Sequence, residues 1–345
     1  MKRPLSFLIA ALFLLSAGCA APQASEDPAS VQFFAMDTVM SVTVYGDNGE
    51  ETVPAVRDEV TRLDKLLSRT DPDSQISQIN AHAGDGSTVQ VAEELAGLLT
   101  QAQDIATALP GDFDVTIAPV MDAWGFTKEE RHVPSDEELA AAMALVDSSK
   151  LTVDGSAVRL EQAGMELDLG AIAKGFTAGR AEGIIRASGA TSALLDLGGN
   201  VTVVGPRPDG GPWRVAVKDP QDTSNYLCVL SLEDVTASTS GGYERYFEED
   251  GVRYHHIIDP KTGHPADTGL LSVTVVSANP VLADALSTAL FVAGPEAALD
   301  FWRSRDDFEL VLCRTDGTVT VTEGLEDGLQ TREDDHAYTY DIARR

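Results

Sequence analysis

The chain has 345 residues, of which 43% are hydrophobic and 23% are charged, a composition typical of a globular protein with a sizeable core. It contains 25 Lys and Arg against 55 Asp and Glu, which gives a formal net charge of −30 at pH 7. This acidity argues against a nucleic-acid partner, because phosphate backbones are bound by clustered Lys and Arg. It also argues against attachment to an anionic membrane through a basic patch.

The first residues have the pattern of an export signal. A positive start at Lys2 and Arg3 is followed by an apolar run over 5–15, which is too short to span a bilayer comfortably. Small residues then lead directly into Cys19. This order resembles a bacterial lipoprotein signal, in which cleavage leaves the cysteine as a lipidated N-terminus.

We therefore expect a lipoprotein signal peptide over 1–18 and a polar tether over 19–30. The protein would be exported and anchored in a membrane by its lipid, facing the periplasm or the cell exterior. Ser16 stands where such signals usually have Leu, so ordinary secretion with removal of Cys19 is one alternative. A plain N-terminal anchor helix is another.

Helices and strands follow the tether without a regular βαβ alternation, which favours an α+β fold with a mainly antiparallel sheet. Apolar periodicity predicts helices over 51–67, 90–109, 135–146, 172–188, 281–292 and 296–303. Alternating, β-branched runs predict strands over 39–45, 151–153, 158–160, 192–197, 201–204, 213–218, 226–232, 253–258 and 271–277, with a hairpin over 308–321. We expect one domain over 31–325 and a polar C-terminal extension over 326–345.

Two cysteines besides Cys19 lie in apolar, strand-like runs. Cys228 and Cys313 are therefore expected to be buried free thiols, although an exported protein permits a disulfide. The chain has no CxxC motif and its His and Cys residues are scattered, so nothing indicates a zinc site.

The helix expected over 281–292 could hold a metal. Asn279 is a good N-cap and Pro280 a good first residue. Asp284 and Thr288 are then i and i+4 on one face, and a carboxylate beside a hydroxyl offers two hard oxygen ligands that suit Mg²⁺. The alternative is that Asp284 faces solvent and only favours the helix dipole.

The segment 168–175, Asp-Leu-Gly-Ala-Ile-Ala-Lys-Gly, joins a strand-like MELDL to a helix. Backbone amides at a helix start, together with Lys174, are suited to phosphate oxygens. The segment is neither a Walker A loop nor GxGxxG, and a tight turn with a surface lysine is the alternative.

Two further segments carry polar and aromatic groups. Adjacent His255 and His256 on a strand point to opposite faces, so at most one of them could act as a base in a site. The segment 111–119, GDFDVTIAP, followed by Trp124-Gly125-Phe126, could flank a flat ligand or form an ordinary core corner.

In this order the segments resemble the ApbE family, the FAD:protein FMN transferases, from about residue 36 to 290. The resemblance rests on nine pieces in series: MDT at 36–38, Ser68 with SQISQIN, GDFDVTIAP with WGF, DLGAIAKG, LDLGGN, SGGYER, HHIIDPKTG, SVTV and ADALST. It implies a T-fold-like catalytic unit with a flavin cleft. The implied reaction uses FAD and Mg²⁺ and transfers FMN to a Thr or Ser of a target flavoprotein, such as a subunit of a membrane redox complex, with release of AMP.

The resemblance also assigns roles to individual residues. Asp284 and Thr288 would bind Mg²⁺ through their side chains, and Ala171 through its carbonyl. His256 would accept the proton of the target hydroxyl, and Asp284 could share that role. Contacts to FAD are implied for Met36, Asp112, Phe113, Asp114, Asp168, Lys174 and Ile258.

Two positions depart from the family pattern. Asp37 stands where many members have Gly, and Thr70 stands where an aromatic residue often touches the flavin. Both bear on flavin contact rather than on the chemistry. The alternatives are an FAD pyrophosphatase that yields FMN and AMP, and a non-catalytic flavin-binding lipoprotein.

Overall fold

The computed structural model describes residues 28–128, 130–332 and 337–345. The helices are α1 (Gly49–Leu67), α2 (Gln75–Ala81), α3 (Glu93–Ala108), α4 (Ala118–Ala123), α5 (Asp136–Met143), α6 (Ala173–Ala187), α7 (Pro280–Ala293) and α8 (Pro295–Arg303), with 3₁₀ turns at Ser148–Lys150 and Glu323–Gly328. The strands are β1 (Ala29–Ala35), β2 (Thr38–Tyr45), β3 (Val89–Gln90), β4 (Leu151–Asp154), β5 (Ala157–Leu160), β6 (Ser192–Leu197), β7 (Asn200–Val204), β8 (Trp213–Lys218), β9 (Tyr226–Leu232), β10 (Val235–Gly241), β11 (Tyr246–Glu249), β12 (Val252–His255), β13 (Leu270–Ser277), β14 (Glu309–Arg314), β15 (Thr318–Thr322), β16 (Leu329–Thr331) and β17 (Thr339–Ala343).

A nine-stranded sheet forms the centre of the molecule, in the order β1-β2-β6-β7-β10-β13-β14-β15-β17. Its pairs are antiparallel except for the parallel pair β15–β17. Smaller sheets are β16-β9-β8, β3-β5-β4 and β11-β12. The α+β prediction with a mainly antiparallel sheet is therefore confirmed.

The two faces of the large sheet pack against different partners. Helices α1, α6 and α7 cover one face, where Val273 and Val275 of β13 join the same buried cluster as Leu286 and Leu290 of α7. Val276 of the same strand points the other way, into a second core with the β8–β9 sheet. This alternation is the period of two that a strand imposes.

Most elements expected from periodicity are present with ends that differ by a few residues. Several corrections concern strands; β1 and β11, for example, were not predicted. The strand-like segment MELDL forms only an isolated bridge between Glu166 and Ile117. The strand expected over 253–258 ends at His255. Strand β10, in the middle of the large sheet, was not predicted.

The ends of the chain also differ from expectation. Strands β16 and β17, within the predicted extension 326–345, pair with β9 and β15, so these residues continue the domain's sheets. Tyr338 is buried and donates a hydrogen bond to Asp219 at 2.6 Å. The predicted signal peptide, 1–18, and most of the predicted tether, 19–30, lie outside the described residues. No helix in the described ranges is long and apolar enough to cross a membrane.

Cys228 and Cys313 are buried free thiols in the second core, as predicted. Burial raises the pKa of each thiol to about 12, so both stay protonated at neutral pH. A protonated, buried thiol behaves as a small apolar side chain.

A two-residue turn joins β1 to β2. Ala35 pairs with Thr38, which leaves Met36 and Asp37 as the loop, and both have positive φ, 49° and 58°. Positive φ at both positions is the pattern of a type I′ turn, for which Asn-Gly is the favoured sequence. Asp37 therefore occupies a conformation that a residue with a Cβ adopts at some cost.

We expect Asp37→Gly to stabilise the protein by about 0.5–1 kcal/mol, because glycine adopts positive φ without steric cost. Urea denaturation measures this change. The matched control is Asp37→Ala, which removes the carboxylate but keeps the Cβ and should bring no gain. Equal stabilisation by both variants would assign the effect to lost charge rather than to backbone conformation.

Candidate active site

The residues predicted for the site all line one cleft of about 690 Å³, although they come from distant parts of the chain. The cleft lies between the β1–β2 turn, the start of α6, the first half of α7 and the loop after β12. Its lining includes the predicted Met36, Asp112, Phe113, Asp114, Asp168, Ala171, Lys174, His256, Ile258, Asp284 and Thr288.

Asp284 forms the centre of the site. This residue is only 3% exposed, so the predicted alternative of a solvent-facing carboxylate is wrong. One carboxylate oxygen accepts the backbone N–H of Gly175 at 2.7 Å, and the other accepts the side-chain amide of Asn200 at 2.8 Å. These donors offset the loss of hydration that burial of a charge causes.

Gly175 allows α6 and α7 to approach closely enough for this bond. A Cβ at Gly175 would lie 2.3 Å from the carbonyl oxygen of Pro280 and 2.6 Å from the Cβ of Asp284. Only a glycine therefore fits at this helix crossing. The motif residue has a packing role that the sequence alone did not assign.

Lys174 places its ammonium beside this carboxylate. Its Nζ donates to the side-chain oxygen of Asn200 at 3.1 Å and lies 3.8 Å from Oδ1 of Asp284. The lysine is thus held near the start of α6, where the helix dipole also favours an anion. The ammonium of Lys174 and the start of α6 therefore both lie at the cleft, which is the arrangement that binding of a phosphate requires.

Thr288 belongs to a chain of hydroxyls with a defined direction. Ser287 donates its proton to the carbonyl of Asp284 at 2.8 Å, so Ser240 must donate to Ser287, also at 2.8 Å. Thr288 must then donate to Ser240 at 3.0 Å, because each hydroxyl has one proton. The oxygen of Thr288 keeps its lone pairs for a ligand in the cleft.

The backbone carbonyl of Ala171 lies just before the start of α6. The N–H of Gly175, four residues further along the chain, bonds Asp284 rather than this carbonyl. Within the described ranges no backbone N–H donates to it. Ala171 lines the cleft with an oxygen that is available to a ligand.

Asp168 is fixed by Arg69, a cleft residue that was not predicted from the sequence. Arg69 Nε donates to Asp168 at 3.2 Å, and its guanidinium also pairs with Asp122. The other oxygen of Asp168 accepts the N–H of Gly170 at 2.7 Å. The two acidic partners lie far from Arg69 in sequence, so no local spacing indicates these pairs.

The two aspartates of the segment GDFD, Asp112 and Asp114, have different partners. Asp112 forms an ion pair with Lys261 at 2.6 Å, which joins two loops at the cleft. Asp114 accepts the N–H and the hydroxyl of Thr116, at 2.8 and 2.6 Å, and the N–H of Ser148 at 3.0 Å. The carboxylate of Asp114 therefore shapes its loop.

The aromatic part of this segment divides between cleft and core. Phe113 and Phe126 line the cleft. Trp124 is fully buried, donates to the carbonyl of Gly263 at 2.7 Å, and packs against Tyr254 with a centroid distance of 5.3 Å. For Trp124 the core-corner alternative is correct.

The adjacent histidines have separate surroundings, as predicted. His255 packs against Phe291, and its Nε2 donates to the carbonyl of Ala266 at 3.1 Å. His256 lines the cleft, and its Nδ1 lies 3.1 Å from the carbonyl of Arg245. A carbonyl only accepts, so neutral His256 carries its proton on Nδ1 and a lone pair on Nε2.

The cleft has more acids than bases. Its described lining contains the carboxylates of Asp37, Asp64, Asp71, Asp112, Asp114, Asp168, Glu244 and Asp284, against Lys65, Arg69, Lys174 and Arg245. Burial raises the pKa of Asp64, because it disfavours the charged carboxylate. Within the described ranges, no group of three or more His, Cys, Asp or Glu could hold a metal.

The comparisons with known proteins agree with one another. The sequence model of the ApbE family matches residues 36–312. A Treponema pallidum protein named FAD:protein FMN transferase is 35% identical over 310 residues, covering 84% of this chain and 85% of that protein. A Vibrio cholerae protein of the same name is 31% identical, covering 89% of this chain and 92% of its own.

Solved structures show the same likeness. The ApbE protein of Thermotoga maritima superposes with a TM-score of 0.78 at 33% identity, covering 89% of this chain and 97% of that one. The flavinyl transferase ApbE of Pseudomonas stutzeri superposes with a TM-score of 0.77 at 29% identity, covering 87% of this chain and 96% of that one.

The close approach of α6 and α7 predicts that Gly175→Ala is strongly destabilising, by about 2 kcal/mol or more, because the added methyl must separate the helices. Denaturation by urea measures this change. Gly179→Ala, one turn further along α6, is the matched control: its Cβ would meet only Pro280 Cγ at 3.9 Å. That variant should be stabilised by about 1 kcal/mol, since alanine favours a helix.

The surroundings of His256 predict a pH effect. Burial, followed by the nearby charge of Arg245, lowers its pKa to about 3. Between about pH 6.5 and about pH 3 the unfolded chain therefore binds a proton that the folded chain does not. The free energy of unfolding is therefore highest above this pH window and falls as the pH decreases through it.

We expect the wild type to lose about 1–2 kcal/mol more than His256→Gln when the pH is lowered from 7 to 5. Urea denaturation of both proteins at both pH values measures the difference. Equal losses would mean that His256 titrates in the folded protein as it does in the unfolded chain.

Proposed function

This chain belongs to the ApbE family, and on that basis we propose that it is a Mg²⁺-dependent FAD:protein FMN transferase. It would move FMN from FAD to the hydroxyl of a Thr or Ser on a target flavoprotein and release AMP. The observation that carries this proposal is the buried Asp284 carboxylate, held between α6 and α7 with Lys174 beside it at the bottom of a cleft.

The donor set of the cleft fits Mg²⁺. Asp284 supplies a carboxylate, Thr288 a hydroxyl oxygen with free lone pairs, and Ala171 a carbonyl that no described N–H occupies. All three are hard oxygen donors, which Mg²⁺ prefers, and a metal held by one carboxylate needs no cluster of acids. The excess of carboxylates in the lining further supports a cation, since FAD brings a negatively charged pyrophosphate.

When bound, Mg²⁺ would neutralise the phosphate oxygens and stabilise the charge on departing AMP. Lys174 would hold a second phosphate oxygen, aided by the start of α6. Asn200 accepts a hydrogen bond from the hydroxyl of Ser238 at 2.8 Å and another from the ammonium of Lys174. These bonds would hold Lys174 at its observed distance from Asp284.

His256 would receive the proton of the target hydroxyl on Nε2 as the oxygen attacks the phosphorus of FMN. The bond from that phosphorus to the AMP oxygen breaks, and FMN becomes attached to the target through a phosphoester. Asp284 is the second candidate for the proton. In both cases the atoms balance: FAD and the hydroxyl give FMN-protein and AMP.

We also propose that the protein is exported and anchored as a lipoprotein, where it would meet flavoproteins outside the cytoplasm. The supporting observation is the order of basic, apolar and small residues before Cys19. Mass spectrometry of the protein isolated from membranes would show a lipidated cysteine. A mature chain that begins after Cys19 would favour ordinary secretion.

The reaction is tested by incubating the protein with FAD, Mg²⁺ and a flavin-free domain that normally carries FMN on a Thr. A gain of one FMN in the mass of that domain supports transfer. Formation of free FMN and AMP alone would favour an FAD pyrophosphatase. Intact FAD after hours with Mg²⁺ would favour a flavin-binding carrier.

Asp284→Asn should reduce FMN transfer by roughly a hundredfold or more, because a neutral amide replaces the charged oxygen donor. Independently of activity, Mg²⁺ should no longer raise the Tm of the variant in the presence of AMP, as it should for the wild type. Normal activity of this variant at low Mg²⁺ would contradict the assignment.

A pair of Thr288 variants controls for changes in packing. Thr288→Ser keeps the hydroxyl and should retain the Mg²⁺-dependent rise in Tm. Thr288→Val keeps the shape but loses the oxygen, and it should weaken the rise. An equal response from both variants would exclude Thr288 as a ligand.

A further inference from the structure

The outer face of the β1–β2 hairpin carries an exposed apolar pair beside the cleft. Side chains of the inner face, such as Val31, Phe33 and Val42, pack in the core under α1. The outer face begins with the polar pairs Ser30–Thr43 and Gln32–Ser41. On this outer face the pair nearest the turn, Phe34 with Val39, is apolar instead.

Both side chains are largely exposed to solvent. Phe34 is 70% exposed and Val39 60%, the highest values among the exposed large hydrophobic residues in the described ranges. Exposed single apolar residues are common, but two that are paired across strands form a contiguous patch. We call Phe34 and Val39 the hairpin patch.

The hairpin patch is continuous with the cleft. Phe34 itself lines the cleft, as do the turn residues Met36 and Asp37 that separate it from Val39. Asp37 also pairs with Arg245, another residue of the cleft lining, with 3.6 Å between the charged groups. The opening of the cleft, which we call its mouth, therefore has the apolar hairpin patch on one side and the charged pair Asp37–Arg245 beside it.

We propose that the hairpin patch binds the target protein, taking an apolar side chain of the segment that flanks the acceptor hydroxyl. This inference rests on the proposed function, because only a protein acceptor needs a docking surface at the mouth. The hydroxyl must reach a phosphorus inside the cleft, so the surrounding segment of the target must cover the mouth. An apolar centre with a polar rim is the usual composition of such an interface.

Exposure separates Phe34 from the apolar side chains that form the wall of the cleft. Phe113 and Ile258, which also line the cleft, are 4% and 6% exposed and form part of its wall. Phe34 is 70% exposed, so a macromolecule at the cleft can contact its side chain. A large aromatic residue at the centre of a patch is the type of residue that contributes most to protein binding.

The test replaces the hairpin patch by threonine, Phe34→Thr with Val39→Thr, which preserves strand propensity. The matched control is Tyr226→Thr with Val252→Thr, which removes two exposed apolar residues elsewhere, at 41% and 50% exposure. The probe is the flavin-free domain used above. Its dissociation constant is measured directly, and KM, kcat and the affinity for FAD are measured alongside.

We expect the patch variant to bind the domain about tenfold or more weakly and to raise its KM similarly. Its kcat and its affinity for FAD should stay within about twofold of the wild type, and the control variant should change none of these values. Unchanged binding of the domain would overturn the proposal. A parallel loss of FAD affinity would overturn it too, since the patch would then contact the flavin.

Two further measurements distinguish target binding from self-association and from a failure of the proposed reaction. If sedimentation shows that the patch variant loses self-association while binding of the domain is unchanged, the patch joins two copies of this chain and the proposal is wrong. If the wild type hydrolyses FAD without transferring FMN, the proposed function fails instead. Direct binding of the domain still decides the role of the patch in that case.

Discussion

The buried carboxylate of Asp284 is the interaction on which the arrangement of the site depends. An ion in the protein interior requires compensating hydrogen bonds, and the chain supplies them from α6, through Gly175, and from β7, through Asn200. Those bonds draw α6 against α7, and only glycine fits at the contact. The positions of Lys174 and Ala171 follow, because both lie on the turn that Gly175 anchors.

Strand β10 extends the same polar network across the sheet. Its hydroxyls pair with both neighbouring strands, buried Thr236 with Thr202 at 2.7 Å and partly buried Thr239 with Thr274 at 2.8 Å. Ser240 then continues to Ser287 and Thr288 on α7. Small hydroxyl side chains let a central strand place oxygen atoms beside the cleft without leaving buried polar groups unpaired.

Local patterns predicted the parts of the fold that depend on local physics. The side chain of Asn279 caps α7 as expected, and Ser135 with Glu138 forms a capping box at the start of α5, where a helix was predicted. The shared helix face of Asp284 and Thr288 followed from the same spacing. The helix start in the segment 168–175 also indicated Lys174, and family resemblance selected most of the remaining cleft residues.

The features that were not predicted depend on partners distant in sequence. Strand β10 was missed because VTASTSG lacks apolar alternation, and its burial depends on hydroxyl pairs that only the folded sheet brings together. Arg69 has no local motif, since its carboxylate partners lie 53 and 99 residues away. The loop role of Asp114 likewise depends on Ser148.

The net charge of −30 has a different meaning once these contacts are known. Several cleft acids are held by groups of the chain itself: Asp112 by Lys261, Asp168 by Arg69 and Asp114 by backbone N–H groups. Such acids hold the walls in place, and they also leave the cleft short of positive charge for a dinucleotide. Lys174 supplies one cation at the start of α6. A divalent cation on Asp284, which we propose, would supply the remainder at the point where the pyrophosphate must be cleaved.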